Sequence, residues 1–192
     1  MNFIFDIGNV LAEFKPLEYL ENRFSDKSIV EKMNTTIFKS REWILMDAGE
    51  LTQKEAIDVF CQREPEYCYA IHETFRDIGS ILTPMTDTIA LLPKIKNSGH
   101  SLYYLSNLPK ELSIYMTENF DYFDLFDGGV FSCDPKLIKP FPEIYRYLLS
   151  KYDLKAQDCL FFDDIEANIS AAEKEGIKGV LFTTADCVLE YL

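Results

Sequence analysis

Basic residues are scarce in this chain: 19 Lys and Arg stand against 32 Asp and Glu, a formal net charge of −13 over 192 residues with the histidines neutral. That balance excludes a duplex nucleic-acid binder, whose affinity comes from neutralising phosphates with Lys and Arg. No window approaches the ~18 apolar residues that a membrane span needs. The first residues, Met1-Asn2-Phe3, carry no basic start and no small-residue cleavage site after an apolar stretch, so no secretory signal is expected. Glycine and proline number eight each, too few for collagen-like or low-complexity sequence. The five cysteines are odd in number and no two form Cys-x-x-Cys, so neither a disulfide framework nor a zinc site is expected. Cys159, inside Cys159-Leu160-Phe161-Phe162, reads as a small buried hydrophobe, and the cysteine usage fits a reducing cytosol.

What the chain does have is 47% hydrophobic residues, enough for a substantial core. They gather in short runs without polar alternation: Phe3-Ile4-Phe5, Leu102-Tyr103-Tyr104-Leu105, Val130-Phe131, Leu160-Phe161-Phe162 and Val180-Leu181-Phe182. Such runs suit strands buried on both faces of a parallel sheet. Between them lie helix-like segments. One spans Pro109 to Asn119 and opens on proline. Another spans Pro142 to Lys151, with Ile144, Tyr147 and Leu148 on one face. A third runs from Asn168 to Glu175 and stops at Gly176. Strand then helix, repeated, gives an α/β fold with a doubly wound parallel sheet.

Residues 17–82 differ. They hold amphipathic segments and no convincing strand. Thr52-Gln53-Lys54-Glu55 is a capping box, Asp47-Ala48-Gly49-Glu50 a turn, and Pro65 separates the helix before it from one over Tyr67 to Phe75. The expected organisation is a catalytic core of 1–16 and 83–192, with a helical cap of 17–82 inserted after the first strand. Beyond Thr83-Pro84, Ile89, Leu92 and Ile95 keep helical spacing, but Pro93 should kink or split that helix.

The polar residues just after the apolar runs are the candidate site. Asp6, Ser106-Asn107 and Asp163-Asp164 all fall at the carboxyl edge of a parallel sheet, where α/β proteins bind ligands, and Lys139 lies in the loop after Phe131 on the same edge. Carboxylates crowded there repel one another unless a cation compensates. Oxygen ligands suit a hard divalent ion, and Mg²⁺ when phosphate binds beside it. Carboxylate, metal, lysine and hydroxyl around a tetrahedral anion suit phosphoryl transfer with Asp as nucleophile. Lys136, the competing lysine, reads as a solvated loop charge. His72 and His100 have no partner at useful spacing and read as surface or satisfied histidines. Trp43, Asp47 and Glu50 fall where the cap could face the pocket, but they read first as a packed indole and a polar turn.

These residues resemble the four motifs of the haloacid dehalogenase superfamily: Phe5-Asp6-Ile7-Gly8-Asn9-Val10-Leu11, Leu105-Ser106-Asn107, Lys139-Pro140-Phe141-Pro142-Glu143-Ile144-Tyr145 and Phe162-Asp163-Asp164-Ile165-Glu166-Ala167-Asn168. The Asp-x-Gly-Asn-Val form resembles a bacterial subgroup that includes α-D-glucose-1-phosphate phosphatases. The resemblance implies Asp6 as nucleophile and metal ligand, the Gly8 carbonyl and Asp164 as further Mg²⁺ ligands, and Asp163 as a neighbouring or water-mediated one. It implies phosphate contacts from Ser106 and Asn107, and Lys139 steadying Asp6 and the phosphate charge. Asn168 stands where some relatives carry another acid.

One departure bears on mechanism. Phosphatases of this superfamily usually carry a second Asp two residues after the nucleophile, as general acid and then base, and here that position is Gly8. General acid–base help is worth roughly 10²–10⁴-fold. Its loss implies a slower enzyme, a substitute from the cap or from water, or a leaving group that needs little protonation. A hemiacetal hydroxyl is more acidic than an ordinary alcohol, so the expected activity is a Mg²⁺-dependent phosphatase of a small phosphorylated metabolite, a sugar phosphate with the 1-phosphate favoured. The alternatives are a metal-independent haloacid dehalogenase, a phosphomutase, and a phosphate-binding protein that has lost catalysis. The sequence specifies neither the substrate nor an oligomeric state.

Overall fold

The computed structural model describes all 192 residues. From the N-terminus, β1 (Asn2–Phe5) leads into β2 (Ala12–Phe14), then α1 (Pro16–Arg23), α2 (Lys27–Met33), α3 (Arg41–Asp47), α4 (Gln53–Arg63) and α5 (Cys68–Phe75). The chain returns through β3 (Leu82–Pro84), α6 (Thr86–Ile89) and α7 (Leu92–Asn97). It then alternates: β4 (Ser101–Ser106), α8 (Lys110–Asn119), β5 (Gly128–Phe131), α9 (Pro142–Lys151), β6 (Cys159–Asp163), α10 (Glu166–Lys174), β7 (Lys178–Leu181) and a short α11 (Asp186–Leu189). Five strands form one sheet in the order β5-β4-β1-β6-β7, every pairing parallel. This is the doubly wound α/β architecture the apolar runs imply.

The sheet is buried on both faces, which is why its strands read as continuous apolar runs. Side chains alternate across it. Phe3, Phe5, Leu102, Leu160 and Phe162 face one apolar core, while Ile4, Tyr103, Leu105 and Phe161 face the other. On the first face Phe5 and Phe162 stack with ring centroids 4.9 Å apart. The second face is covered by Ile144, Tyr145 and Leu148 of α9 and Ile169 and Ala172 of α10. Here the helical face differs from expectation. Tyr145, not Tyr147, is buried, because its hydroxyl finds the carbonyl of Asn168 at 2.9 Å, whereas Tyr147 is 38% exposed. Pro93 splits its helix as expected, sitting in the first turn of α7. Gly176 ends α10 with φ +83°, a conformation other residues adopt only with strain.

The helical segment after β1 exists, and its apolar residues are continuous with the first core: Leu20, Met33, Ile37, Met46, Phe60 and Ile71 join the cluster of Phe3 and Phe5. Its helices start where local chemistry provides caps. Asp26 and Ser40 accept from the backbone N–H groups of Ser28 and Trp43, and Thr52 with Glu55 forms the capping box. Two findings correct the sequence reading. β2 and β3 form an antiparallel ribbon, with Glu13 opposite Thr83, that closes the stem of the insertion; three-residue strands are too short for a periodic signal. Cys61 and Cys68 form a disulfide, although no disulfide was expected from cysteine count and spacing. The turn at Pro65–Tyr67 folds α5 back on α4 and brings the two Cα atoms to 4.6 Å, a proximity that linear spacing does not show. The cysteine argument for a reducing compartment falls with it. Cys159 is fully buried, as expected. No helix is long and apolar enough to cross a membrane.

The insertion meets the sheet domain at a tight backbone contact just after α3. Gly49 has φ +65°, and a Cβ there would lie 2.2 Å from the carbonyl oxygen of Cys133. Gly49→Ala therefore meets both a left-handed backbone and a clash it cannot avoid. We expect it to lower stability by at least about 1–2 kcal/mol, read in urea as a lower midpoint with an unchanged slope.

Candidate active site

β4, β1 and β6 are neighbours and parallel, so their carboxyl ends share one rim. Asp6 follows β1 directly, Ser106 closes β4 and Asp163 closes β6. Lys139 reaches the rim from the loop that precedes α9, with a cis peptide bond to Pro140. Its ammonium lies 2.8 Å from Asp6 Oδ1 and 2.7 Å from Asp163 Oδ2, and all three side chains are nearly or wholly excluded from water. Lys136, by contrast, is exposed on its loop.

One ammonium between two buried carboxylates leaves an excess of negative charge. Burial pushes the Asp6 carboxyl above the usual range; Lys139 opposes the shift, and the charge of Asp163 adds to it. Burial alone would lower the pKa of Lys139, but Asp6 and Asp163 outweigh it and hold the ammonium charged. Asp164 stands at the mouth, and single carboxylate oxygens of Asp6, Asp163 and Asp164 lie within 4.8 Å of one another. The donor set is all oxygen and net negative, which fits a small hard cation.

The carboxylates are not equivalent. Asp163 Oδ1 accepts from Ile165 N–H at 2.8 Å and Asn168 Nδ2 at 2.9 Å, and Oδ2 accepts from Lys139 and from Asn168 Nδ2 at 3.0 Å. Its lone pairs are filled by protein. Asp6 Oδ1 takes the Ile7 N–H at 2.7 Å and the Lys139 ammonium, so the contacts of this carboxylate fall on one oxygen. Asp164 Oδ2 accepts from Asn9 Nδ2 at 3.2 Å. Asn9 sits at φ +54° just past Gly8, and its Oδ1 accepts from Phe14 N–H at 3.1 Å, so one side chain ties the loop after β1 to both Asp164 and β2.

A cavity of about 170 Å³ opens over this rim, lined by Asp6, Gly8, Ser106, Asn107, Lys139 and Asp164 among others. All the sequence-predicted site residues except Asp163 line it. Asp163 lies beneath, behind Lys139. Asn107 does two jobs: its Oδ1 accepts the Lys139 backbone N–H at 2.8 Å and its Nδ2 donates to the Lys139 carbonyl at 2.9 Å, fixing the lysine loop against the end of β4. Gly8 faces open space, with no atom within 4 Å of where its Cβ would be.

The cavity also contains residues whose roles the sequence left open. Asn168 is the clamp on Asp163. Trp43 and Asp47 line the wall contributed by the insertion, one helical turn apart on α3, whereas Glu50 points to solvent. Trp43 packs on Phe38 at 4.8 Å and Phe14 at 5.9 Å, so it is both a packed indole and a pocket wall. Asn9 carried no signal beyond its place beside Gly8. His72 is exposed, and His100 stacks on Phe3 at 5.2 Å; neither is near the site.

The model of the haloacid dehalogenase-like hydrolases matches residues 1–176. A sesquiterpene phosphatase of Aspergillus oryzae is 28% identical over 192 aligned positions, covering 94% of this chain and 88% of the relative. A phosphorylated carbohydrates phosphatase of Thermotoga maritima is 27% identical, covering 92% and 82%. Among solved structures, a HAD-family enzyme of Bacteroides thetaiotaomicron, crystallised with magnesium and inorganic phosphate, superposes with a TM-score of 0.72 at 22% identity over 93% of this chain and 92% of its own.

Lys139→Met keeps the aliphatic stem but strands two buried carboxylates. In the presence of EDTA we expect a loss of about 3–5 kcal/mol near pH 7.5. Without the ammonium, which opposes the effect of burial, the Asp6 carboxyl rises further in the folded state. Raised carboxyl pKa values stabilise below the unfolded-state range, and that contribution fades as pH climbs through them. The destabilisation should therefore shrink on acidification to pH 5, as paired urea titrations would show. An equal loss at both pH values would contradict this account of the charge balance.

Proposed function

The chain belongs to the haloacid dehalogenase-like hydrolase family, and on that premise we propose that it is a Mg²⁺-dependent phosphatase of a small phosphorylated metabolite, working through a phospho-aspartyl intermediate on Asp6. The observation that carries this function is the convergence of Asp6, Asp163 and Asp164 within 4.8 Å with Lys139 as the only buried cation among them. Asp6, Asp164 and the Gly8 carbonyl would hold Mg²⁺ directly. Asp163, its oxygens already filled by protein donors, would act through water or by orienting its neighbours. When bound, Mg²⁺ supplies positive charge that offsets the phosphoryl oxygens and the excess carboxylate charge.

The chain's own groups do the rest. Asp6 Oδ1 is held by Ile7 and Lys139, which fixes the carboxylate for attack on phosphorus in line with the departing oxygen. Ser106 and the remaining amide hydrogen of Asn107 hold phosphoryl oxygens, and Lys139 keeps Asp6 ionised and oriented despite its burial. The helical insertion, 17–82, acts as the cap: it closes one side of the cavity through Trp43 and Asp47 and sets what the phosphate is attached to.

For the substrate we favour a sugar phosphate, with the 1-phosphate preferred. A cavity of about 170 Å³ is the right scale for a phosphate with part of a sugar ring, and the Thermotoga relative acts on phosphorylated carbohydrates. The bare Gly8 also favours a hydroxyl that leaves with little help. A second substrate class has its own observation. Phe14, Trp43, Leu82, Leu108 and Ile165 form an apolar wall that suits a terpenyl monophosphate, and the Aspergillus relative is a sesquiterpene phosphatase.

Phosphate release from glucose 1-phosphate, glucose 6-phosphate and farnesyl monophosphate, with Mg²⁺ and with EDTA, separates these. We expect Mg²⁺-dependent turnover, glucose 1-phosphate ahead of the 6-phosphate, and a fall on the order of 10³-fold or more in Asp6→Asn, as loss of a covalent nucleophile implies. Turnover of 2-chloropropionate without Mg²⁺ would support a dehalogenase instead. Equal background rates in wild type and Asp6→Asn would leave a phosphate-binding protein. Independently of activity, Mg²⁺ should raise the melting temperature, since a ligand at ~100 Kd adds about 2.7 kcal/mol, and Asp164→Ala should abolish most of that shift.

A further inference from the structure

Asp47 has a side chain that nothing in the fold accounts for. It is the last residue of α3, and its Oδ1 is shielded from solvent without any hydrogen-bond partner. A buried polar atom left unpaired is unfavourable, and native structures keep few of them. This one lines the cavity that holds Asp6, Ser106 and Lys139. Across that cavity Gly8 presents no side chain and the space beside it is open.

The backbone of Asp47 is anchored. The Ser132 hydroxyl donates to the Asp47 carbonyl and accepts the Leu108 N–H at 2.9 Å. Leu108 follows Ser106-Asn107, and Ser132 follows β5. One hydroxyl thus ties the end of α3 to the two loops that carry the phosphate-binding residues and lead to Lys139. Two residues on, Gly49 packs its backbone against Cys133. The backbone that carries this carboxyl is therefore fixed to the sheet side of the shared cavity, not by the insertion alone.

We propose that Asp47 is the general acid and base of the phosphatase reaction, a carboxyl group supplied by the insertion in place of the one missing at Gly8. The assignment rests on the phosphatase function proposed above. In the first half-reaction an Asp6 carboxylate oxygen bonds to phosphorus, the bond from phosphorus to the ester oxygen breaks, and that oxygen takes the proton of Asp47. In the second, water attacks the phospho-aspartyl phosphorus, one water proton returns to the Asp47 carboxylate, and the bond to Asp6 breaks, releasing hydrogen phosphate and the Asp6 carboxylate. The protonation state agrees. Burial, and then the negative charge of Asp6, push the Asp47 carboxyl up to about 8, against the pull of Lys139, so it begins neutral with a proton to give. With Asp47 in this role, alcohols less acidic than a hemiacetal are also within reach, and the 1-phosphate preference becomes one of degree.

The test is the dependence on leaving group. Wild type, Asp47→Asn and the double variant Asp47→Asn/Gly8→Asp are assayed with Mg²⁺ on p-nitrophenyl phosphate, whose phenolate leaves unaided, and on benzyl phosphate, whose alcohol does not. In Asp47→Asn we expect kcat/KM to fall on the order of 10²–10⁴-fold for benzyl phosphate and less than about 10-fold for p-nitrophenyl phosphate. We also expect a burst of nitrophenolate followed by slow turnover, because the second half-reaction has lost its base. Gly8→Asp should recover part of the benzyl rate, since its side chain enters open space. The ratio of the two rates on one sample does not depend on how much of it is folded, and Asp47→Ser gives a second reading of the same ratio. Equal loss on both substrates would make Asp47 a structural residue, and no loss on either would make it a bystander; each overturns the assignment while leaving the phosphatase standing. Absence of Mg²⁺-dependent hydrolysis in wild type would overturn both.

Discussion

A single ammonium shared by two buried carboxylates sets the terms for the rest of this rim. Lys139 could satisfy one partner and leave a neutral pair, a common way to bury charge. Facing both Asp6 and Asp163, it leaves the site net negative before Asp164 is counted. The apolar sheet beneath, with Phe161 close under the ammonium at 5.4 Å from ring centroid to Nζ, offers no water to screen the excess. Such a site is stable only when the protein supplies many oriented dipoles or when a cation completes it. This one supplies the dipoles and keeps carboxylate oxygens open for a cation, dividing the work between its carboxylates.

Asp163 is where the dipoles go. Four donor contacts fill its oxygens, from Lys139, the Ile165 N–H and two approaches of the Asn168 amide. It is therefore a fixed negative centre that aims Lys139 at Asp6. Asp6 and Asp164 are left with oxygens turned to the cavity. Rigidity comes from hydrogen bonds made by neutral side chains: the reciprocal pair of Asn107 with the Lys139 backbone, Asn9 bridging Asp164 and Phe14 of β2, and Tyr145 donating to the Asn168 carbonyl. These uncharged residues place the charged ones without adding to the electrostatic excess, which is a reason to find asparagine at the rim so often.

The parts legible in the sequence are those with local causes. Strands buried on both faces show as apolar runs, capping boxes show as residue pairs three apart, and carboxylates after such strands must meet because parallel strands share a carboxyl edge. What could not be read depends on contacts between segments distant in sequence or on elements too short for a period. β2 and β3 hold three residues each and gain their pairing only when the insertion closes. The Cys61–Cys68 bond exists because a proline turn stacks two helices. Tyr145 displaces Tyr147 from the core because of one carbonyl supplied by α10. Asp47 sits in a polar turn, Asp47-Ala48-Gly49-Glu50, and nothing in those four residues reveals that the first lines the cavity shared with Asp6 while the last faces solvent. That distinction is made by Ser132 and Cys133, some 85 positions away.

The join at Ser132 also gives the insertion a mechanical meaning. An acid placed two residues after the nucleophile would ride on the same loop and keep its distance from phosphorus whatever the insertion did. An acid at the end of α3 keeps that distance only while the insertion is docked. The insertion's place is set by the Ser132 hydroxyl bridge, by the Gly49 backbone against the Cys133 carbonyl, and by the apolar core that it shares with the sheet. Trp43, one turn back on the same helix, is part of the wall that a substrate's organic group must touch. Fit of that group against Trp43 and placement of the Asp47 carboxyl are thus properties of one rigid helix turn. Selection of the substrate and delivery of the proton cannot be tuned separately here, so a change that re-shapes the α3 wall for a different leaving group alters the proton-transfer geometry as well.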